Sequence, residues 1–461
     1  MPEPTRTPPR GAAWRRLVPL AALALLAACG GGGGDGVGGA AAGPAASCGL
    51  EDQKTWLARY LDQNYFWYRQ APRPDPARFG NLDDFFEASL YDGSDPAFPR
   101  DRWSGWTSAE SFQRFYGDGA TMGYGVAVAG LELDRDGSRP LWVRYVEPAS
   151  PAALAGVVRG DQVLAINGRA ASEVVAADDF AALTAADEGD TLTLRLRRAG
   201  AERTVVLRAA VFPLTPVQGV QVSTTPGGRK LGYLKVKDMV SQALPAVDAA
   251  FARFRAEGVQ DIVLDLRYNG GGLVSTSGRI ASYLAGPGNV GRTYAQLRYA
   301  DRASASNQRF VFERVSGTAL PRVLVLAGRR TCSASEQLVN GLRGVGVQVE
   351  LIGEASCGKP VGFVPVQSCS RSWSIVNFES VNERGEGRYW DGFAPTCAVA
   401  EDFQSPPQSP ADPLFAAAQA RADGAACPAA TADGRARPLA ATGRWPRGSA
   451  RTDERQDMIP R

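Results

Sequence analysis

The chain has 461 residues, room for two or three domains, with 44% hydrophobic and 21% charged residues, the balance usual in globular proteins. Lysine and arginine total 51 against 48 acidic residues, a formal net charge of +3 that offers no basic field for nucleic acid. There is no histidine, which excludes a Ser-His-Asp triad and any histidine-ligated metal.

Arg6, Arg10, Arg15 and Arg16 precede LVPLAALALLAA (17–28), an apolar run too short for a bilayer core of roughly 30 Å and suited to a signal-peptide core. It ends in Leu26-Ala27-Ala28-Cys29, which resembles a bacterial lipobox, where cleavage precedes a lipid-modified cysteine. Residues 1–29 are thus expected to be a lipoprotein signal, with Cys29 the acylation site, and 30–47 a Gly/Ala-rich tether. The alternative is a plain secretory signal followed by a chance cysteine. Gly30 after the cysteine, rather than Asp, points to the outer membrane facing the periplasm, or to the cell surface. Removing residues 1–29 takes away four Arg and one Glu and leaves the two signs equal.

Six cysteines remain, a count that in an exported chain suggests up to three disulfides. A four-cysteine zinc site is the competing reading, but no CxxC pair exists, so no metal is expected. The expected pairs are Cys332 with Cys357, Cys369 with Cys397, and Cys48 with Cys427.

Residues 48–119 read as a helical segment. LEDQKTWLARYLDQNYFWY places Trp56, Leu57, Tyr60 and Leu61 on one stripe, expected to pack on the neighbouring domain. From 120 to 212 the pattern turns to short strands around one helix. Gly123-Tyr124-Gly125-Val126, with Arg159-Gly160-Asp161 and Leu164-Ala165-Ile166-Asn167-Gly168, resembles a PDZ domain. That resemblance implies a carboxylate-binding loop at Gly123–Val126 and a peptide that adds a strand. A PDZ-like module that only packs on its neighbour is the alternative.

Residues 213–428 alternate strands and helices, which argues a layered α/β domain. KLGYLKV (230–236), DIVLDL (261–266), RVLVLAG (322–328) and VELIGE (349–354) read as strands, and 241–257 as a helix with Leu244, Val247, Phe251 and Phe254 inward. In such sheets, sites gather beyond the carboxyl ends of the strands, where three Gly- and Ser-rich loops fall. Residues 429–461, rich in Pro, Gly and Arg without periodicity, read as a disordered tail.

One of those loops is TCSASEQLVNGLRG (331–344), where Ser333 and Ser335 precede a helical run. Either serine could cap the helix or act as a nucleophile. Without imidazole, a serine needs a carboxylate or a lysine lowered to about pKa 7–8 by burial. Lysines are few, and Lys359 stands in the Gly-flanked loop Ser356–Gly362. On its own it would read as a surface lysine in a turn. In the third loop, Asp265-Leu266-Arg267-Tyr268-Asn269-Gly270-Gly271-Gly272, backbone N–H groups can approach a developing oxyanion. A phosphate grip is the alternative, but the Gly-Lys-Ser/Thr ending of a P-loop is missing.

Together, DLRYNGGG, TCSASE and CGKPVGF resemble the carboxyl-terminal processing (tail-specific) proteases, the S41 serine peptidases, over about residues 50–425. The resemblance implies a ClpP/crotonase-like layered core with an inserted PDZ domain and a small helical N-terminal segment. It puts Ser333 at the nucleophile and Lys359 at the general base. The N–H of Ala334 and one from Gly270–Gly272, Gly271 favoured and Gly272 beside it, fall on the oxyanion hole. Ser335 is then a helix-start residue. The activity implied is serine-type endopeptidase action on proteins or peptides recognised through their C-termini, without a cofactor. Many relatives have glutamine four residues after the lysine; here it is Phe363, so Gln367 or Ser356 is expected to orient Lys359. That departure favours the alternative of a catalytically impaired, peptide-binding relative. A crotonase-like acyl-CoA enzyme is disfavoured by export and by the PDZ module.

Overall fold

The computed structural model describes residues 44–316, 320 and 322–429. The Cys29 segment, most of the tether and the tail beyond 429 lie outside the described residues. Among those described, no helix is long and apolar enough to cross a membrane.

The N-terminal segment comprises α1 (Leu50–Asn64), α2 (Leu82–Ser89), β1 (Gly105–Ser108) and the short α3 (Ala109–Phe112). Asn81 starts α2 by accepting the Asp84 N–H at 2.8 Å. Trp56, Leu57, Tyr60 and Leu61 are all buried on one face of α1, as the stripe predicts. Their partners include Val361, Trp373, Ile375 and Val376, so the segment packs on the third domain rather than on the one that follows it in sequence.

The second domain contains β2 (Ala120–Gly123), β3 (Val126–Val128), β4 (Leu141–Val146), α4 (Pro151–Leu154), β5 (Gln162–Ile166), β6 (Arg169–Ala170), α5 (Ala171–Ala177), β7 (Thr191–Arg198), β8 (Ala201–Arg208) and β9 (Ala210–Pro213). Its sheet runs β3-β4-β5-β7-β8, which leaves β3 at an edge. Period-two burial of Leu192, Leu194 and Leu196 on β7 fills its core. β2 and β9 pair antiparallel, so the chain enters and leaves this domain through one two-stranded ribbon.

The third domain contains β10 (Val217–Thr224), β11 (Lys230–Val236), α6 (Leu244–Ala256), β12 (Asp261–Asp265), α7 (Val274–Ala285), β13 (Thr293–Tyr299), β14 (Gln308–Val311), β15 (Arg322–Ala327), α8 (Ala334–Gly344), β16 (Gln348–Gly353), β17 (Val361–Gly362), β18 (Val366–Ser368), β19 (Arg371–Ser374), β20 (Phe378–Val381), β21 (Cys397–Ala398) and α9 (Pro413–Ala422). Its main sheet has the order β10-β11-β12-β15-β16-β21. It is parallel from β11 onward, with β10 antiparallel at one edge. β12 is buried along its whole length, as expected of a parallel strand covered on both faces. One face packs on residues of α6, α7 and α8, the other on α9. A second sheet, β14-β13-β20-β17, stands beside it, and β1 joins a small sheet as β1-β19-β18.

Cys332 and Cys357 are bonded, as expected. The other two expected pairs are corrected: Cys48 bonds Cys369, and Cys397 bonds Cys427. Tertiary packing decides this. The β18–β19 turn carrying Cys369 lies against the N-terminal segment, where the Ala45 N–H donates to Ser368 Oγ at 3.3 Å. Cys397 sits on edge strand β21, beside the chain that leaves α9.

Candidate active site

Parallel strands β12, β15 and β16 point the same way, so the loops after them emerge at one edge. Ser333 occupies the N-cap position of α8 with φ +54° and ψ −117°, a conformation rare for a residue with a side chain. A sharp strand-to-helix turn of this kind raises a side chain above the sheet edge.

Glu336, one turn into α8, is fully buried and gathers four donors. Its Oε2 accepts the N–H of Ser333 at 3.0 Å and of Lys359 at 2.8 Å. Its Oε1 accepts the Gly358 N–H at 2.8 Å and the Ser356 hydroxyl at 2.6 Å. Burial raises its pKa, opposed by these hydrogen bonds. The carboxylate therefore joins the Ser333 loop to the Lys359 loop, and the Cys332–Cys357 disulfide joins them a second time.

Asn269 braces the glycine loop. Its Nδ2 donates to the Val236 carbonyl at 3.0 Å, its Oδ1 accepts the Gly271 N–H at 2.8 Å, and its carbonyl accepts from Cys332 N–H and Ser335 Oγ, each at 3.1 Å. Gly271 has φ +111°, and a Cβ there would lie 2.7 Å from the Ser333 Cβ. Gly272 (φ +134°) leaves no room for a side chain either, with the Met239 carbonyl oxygen 2.3 Å from a would-be Cβ. Behind the loop, buried Arg267 pairs with Asp265 at 2.7 Å and Asp412 at 2.9 Å.

These parts open on a cavity of about 280 Å³ lined by Ser333, Ala334, Gly272, Lys359 and Phe363, among mostly apolar neighbours. Phe112 and Tyr116 from the N-terminal segment form one wall of it.

Residues 230–376 match the model for peptidase family S41, 52–105 that for the peptidase S41 N-terminal domain, and 142–198 one for a PDZ domain. The chain carries an S41 peptidase domain and a PDZ domain. It is 28% identical over 218 residues to a carboxyl-terminal-processing protease of Picosynechococcus, covering 46% of this chain and 49% of that one. To a chloroplastic C-terminal processing peptidase of Tetradesmus obliquus it is 29% identical over 231 residues, covering 47% and 48%. The chain spans about half the length of the curated relatives it matches. A solved structure from Bacteroides fragilis, described as an S41 protease, shares the fold with a TM-score of 0.61 at 24% identity, covering 80% of this chain and 97% of that one.

Within the S41 domain, the structure brings Ser333, Ala334, Gly272 and Lys359 to one cavity. It changes one finer expectation. The Gly271 N–H is spent on Asn269, so Gly272 rather than Gly271 is the glycine at the cavity. Ser333 holds the N-cap position of α8, and Ser335 lies in its first turn, where its hydroxyl donates to the Asn269 carbonyl. The Ser356 hydroxyl donates to Glu336 and accepts the Phe393 N–H, and Gln367 is exposed on β18. The face of Phe363 lies 4.8 Å from Lys359 Nζ.

The Glu336 hub and the Asn269 brace escaped the sequence reading. The only signal was spacing: Glu336 three residues after Ser333, and Asn269 ahead of the glycines.

In the PDZ domain, Gly123 has φ +148° and Gly125 φ +72°, with Tyr124 buried between them. The Tyr124 and Gly125 carbonyls accept from Ala152 and Glu147, which turns them into the domain. Arg159 reaches the S41 domain, donating to Tyr268 Oη and to Glu401 at 2.9 Å.

Proposed function

We propose that this protein is an exported serine endopeptidase with a Ser333–Lys359 dyad, its PDZ domain receiving substrate C-termini. The observation that carries this reading is the single cavity lined by Ser333, Lys359, Gly272 and Ala334. Neutral Lys359 takes the Ser333 proton as Oγ attacks the scissile carbonyl. The oxyanion is held by the N–H groups of Ala334 and Gly272, donors worth roughly 3 kcal/mol each to such a transition state. Lys359 then protonates the leaving amine, and water, giving up its proton to Lys359, hydrolyses the acyl-enzyme. The 1% exposure of Lys359 supports a base kept in its neutral form. A substrate C-terminus would use the N–H groups of Tyr124 and Gly125 and add a strand along β3, the edge of its sheet.

With Cys29 acylated, the enzyme would be held at the cell envelope, facing the periplasm. Phe363 favours a second reading, a catalytically impaired relative that binds peptide termini. Casein turnover and labelling by a fluorophosphonate decide between them. Both should be lost in Ser333→Ala and Lys359→Ala, and wild type behaving like Ser333→Ala would remove the peptidase reading.

A further inference from the structure

Phe363 stands where the cavity, the general base and the surface meet. Lys359 Nζ lies 4.8 Å from the centre of its ring, inside the range of a cation–π contact. The backbone on both sides of the ring is pinned. The Lys359 N–H is held by Glu336, the Gly362 carbonyl accepts the Asn377 N–H at 3.0 Å, and the Val364 N–H donates to Asn377 Oδ1 at 3.3 Å. Gly362 admits no side chain, since Phe378 lies 2.4 Å from a would-be Cβ. The ring is therefore aimed by fixed neighbours. Lys359 is also the only Lys, Arg, Asp or Glu among the residues lining the cavity, whose other walls include Leu297, Pro360, Val361 and Phe378. Any positive charge it acquires is poorly hydrated.

We infer that Phe363 is the positioning residue of the base, its ring face supporting the charge Lys359 gains as it takes the Ser333 proton. This rests on the peptidase reading above. On that reading the ring contributes little until the proton arrives. The contact strengthens as the proton arrives, so its benefit falls on kcat rather than on KM. A π face accepts a cation without a directed lone pair.

Other charged or titratable groups face the same loop from every element around it. They are Glu336 on α8, Glu379 on β20 with its partner Arg388, Tyr389 and Asp391 on the following loop, and Arg102 and Tyr116 of the N-terminal segment. All stay in place when only residue 363 changes, so a shift in the pH profile isolates the ring.

The test is the rate of fluorophosphonate labelling by the full chain from about pH 6 to 10, with wild type, Ser333→Ala, Phe363→Tyr and Phe363→Leu, folding checked by thermal melts. Tyr keeps a π face and should label within about twofold of wild type. Leu keeps an apolar wall without one; its plateau rate should fall about threefold or more and its acid limb move down by about half a pH unit, since the ammonium loses its support. A Leu protein with the wild-type rate and midpoint, or a Tyr protein as slow as Leu, overturns the inference. Wild type labelling no faster than Ser333→Ala sinks the peptidase reading itself, and this inference with it.

Discussion

Glu336 Oε2 lies 2.8 Å from the Lys359 backbone nitrogen, and the same oxygen accepts the Ser333 N–H at 3.0 Å. One buried carboxylate oxygen thus fixes the two residues that would carry the chemistry, although 26 positions separate them in sequence.

Glu336→Gln preserves shape but turns an amide NH₂ toward groups that are themselves donors. Leaving one or two of them unsatisfied costs about 1–3 kcal/mol each, so stability should fall by about that much. Labelling of Ser333 should drop by more than about tenfold, because the dyad's backbone anchors go together. Unchanged urea unfolding and labelling would show that the hub is dispensable.

The Cys332–Cys357 bond closes a loop with a sequence separation of 25 residues beside the nucleophile. Its loss in a Cys332→Ala/Cys357→Ala protein should cost about 3 kcal/mol through freedom returned to the unfolded chain. A slower Ser333 reaction should accompany it, since only Glu336 and the hydrogen bond from the Cys357 N–H to the Thr331 carbonyl at 3.0 Å are seen to join the two loops besides the disulfide. Equal melting temperature and equal activity would count against this role, as would mild reduction without effect.

Asp265 loses solvation by burial, yet the Arg267 guanidinium beside it, with Lys235 and Tyr233, holds its pKa down to about 2. The folded-state value lies below the unfolded one, so the stabilisation is present above about pH 4 and is lost as pH falls toward 2. It amounts to about 2 kcal/mol at neutral pH. Asp265→Asn should flatten the loss of stability between about pH 4 and 2 measured by chemical denaturation. Arg267→Leu, which strands buried Asp265 and Asp412, should destabilise by about 3–5 kcal/mol and disturb the glycine loop that follows.

In the PDZ loop, a Cβ at Gly125 would sit 2.0 Å from the Ser150 Cβ, with φ at +72°. Gly125→Val should therefore abolish binding of a fluorescent peptide with a free carboxyl terminus. Wild type should bind that peptide at least about tenfold more tightly than its amidated form. Equal polarisation curves for the two peptides would mean that the domain does not read carboxylates.

The sequence by itself determined what is local. Period-two and 3.6-residue patterns marked β7 and α1, a short apolar run marked β12, and turn glycines marked the loops. The absence of histidine left a carboxylate or one of few lysines as a base for a serine, and the resemblance carried by CGKPVGF pointed to Lys359. Pairing across distance was decided only by tertiary structure. Four of the six cysteines found partners that order along the chain did not suggest, because the aromatic N-terminal segment crosses the PDZ insertion and packs on β19. The glycine at the cavity is Gly272, while the Gly271 N–H is taken by Asn269. The resemblance had already told Ser333 from Ser335, and α8, beginning at Ala334, keeps Ser335 in its first turn. Glu336 looked like a capping residue by its spacing, and it is one. Its burial against the loop that follows β16 makes it also the link between Ser333 and Lys359, and burial is a property that neighbours confer, not one that a residue's own position in the chain encodes.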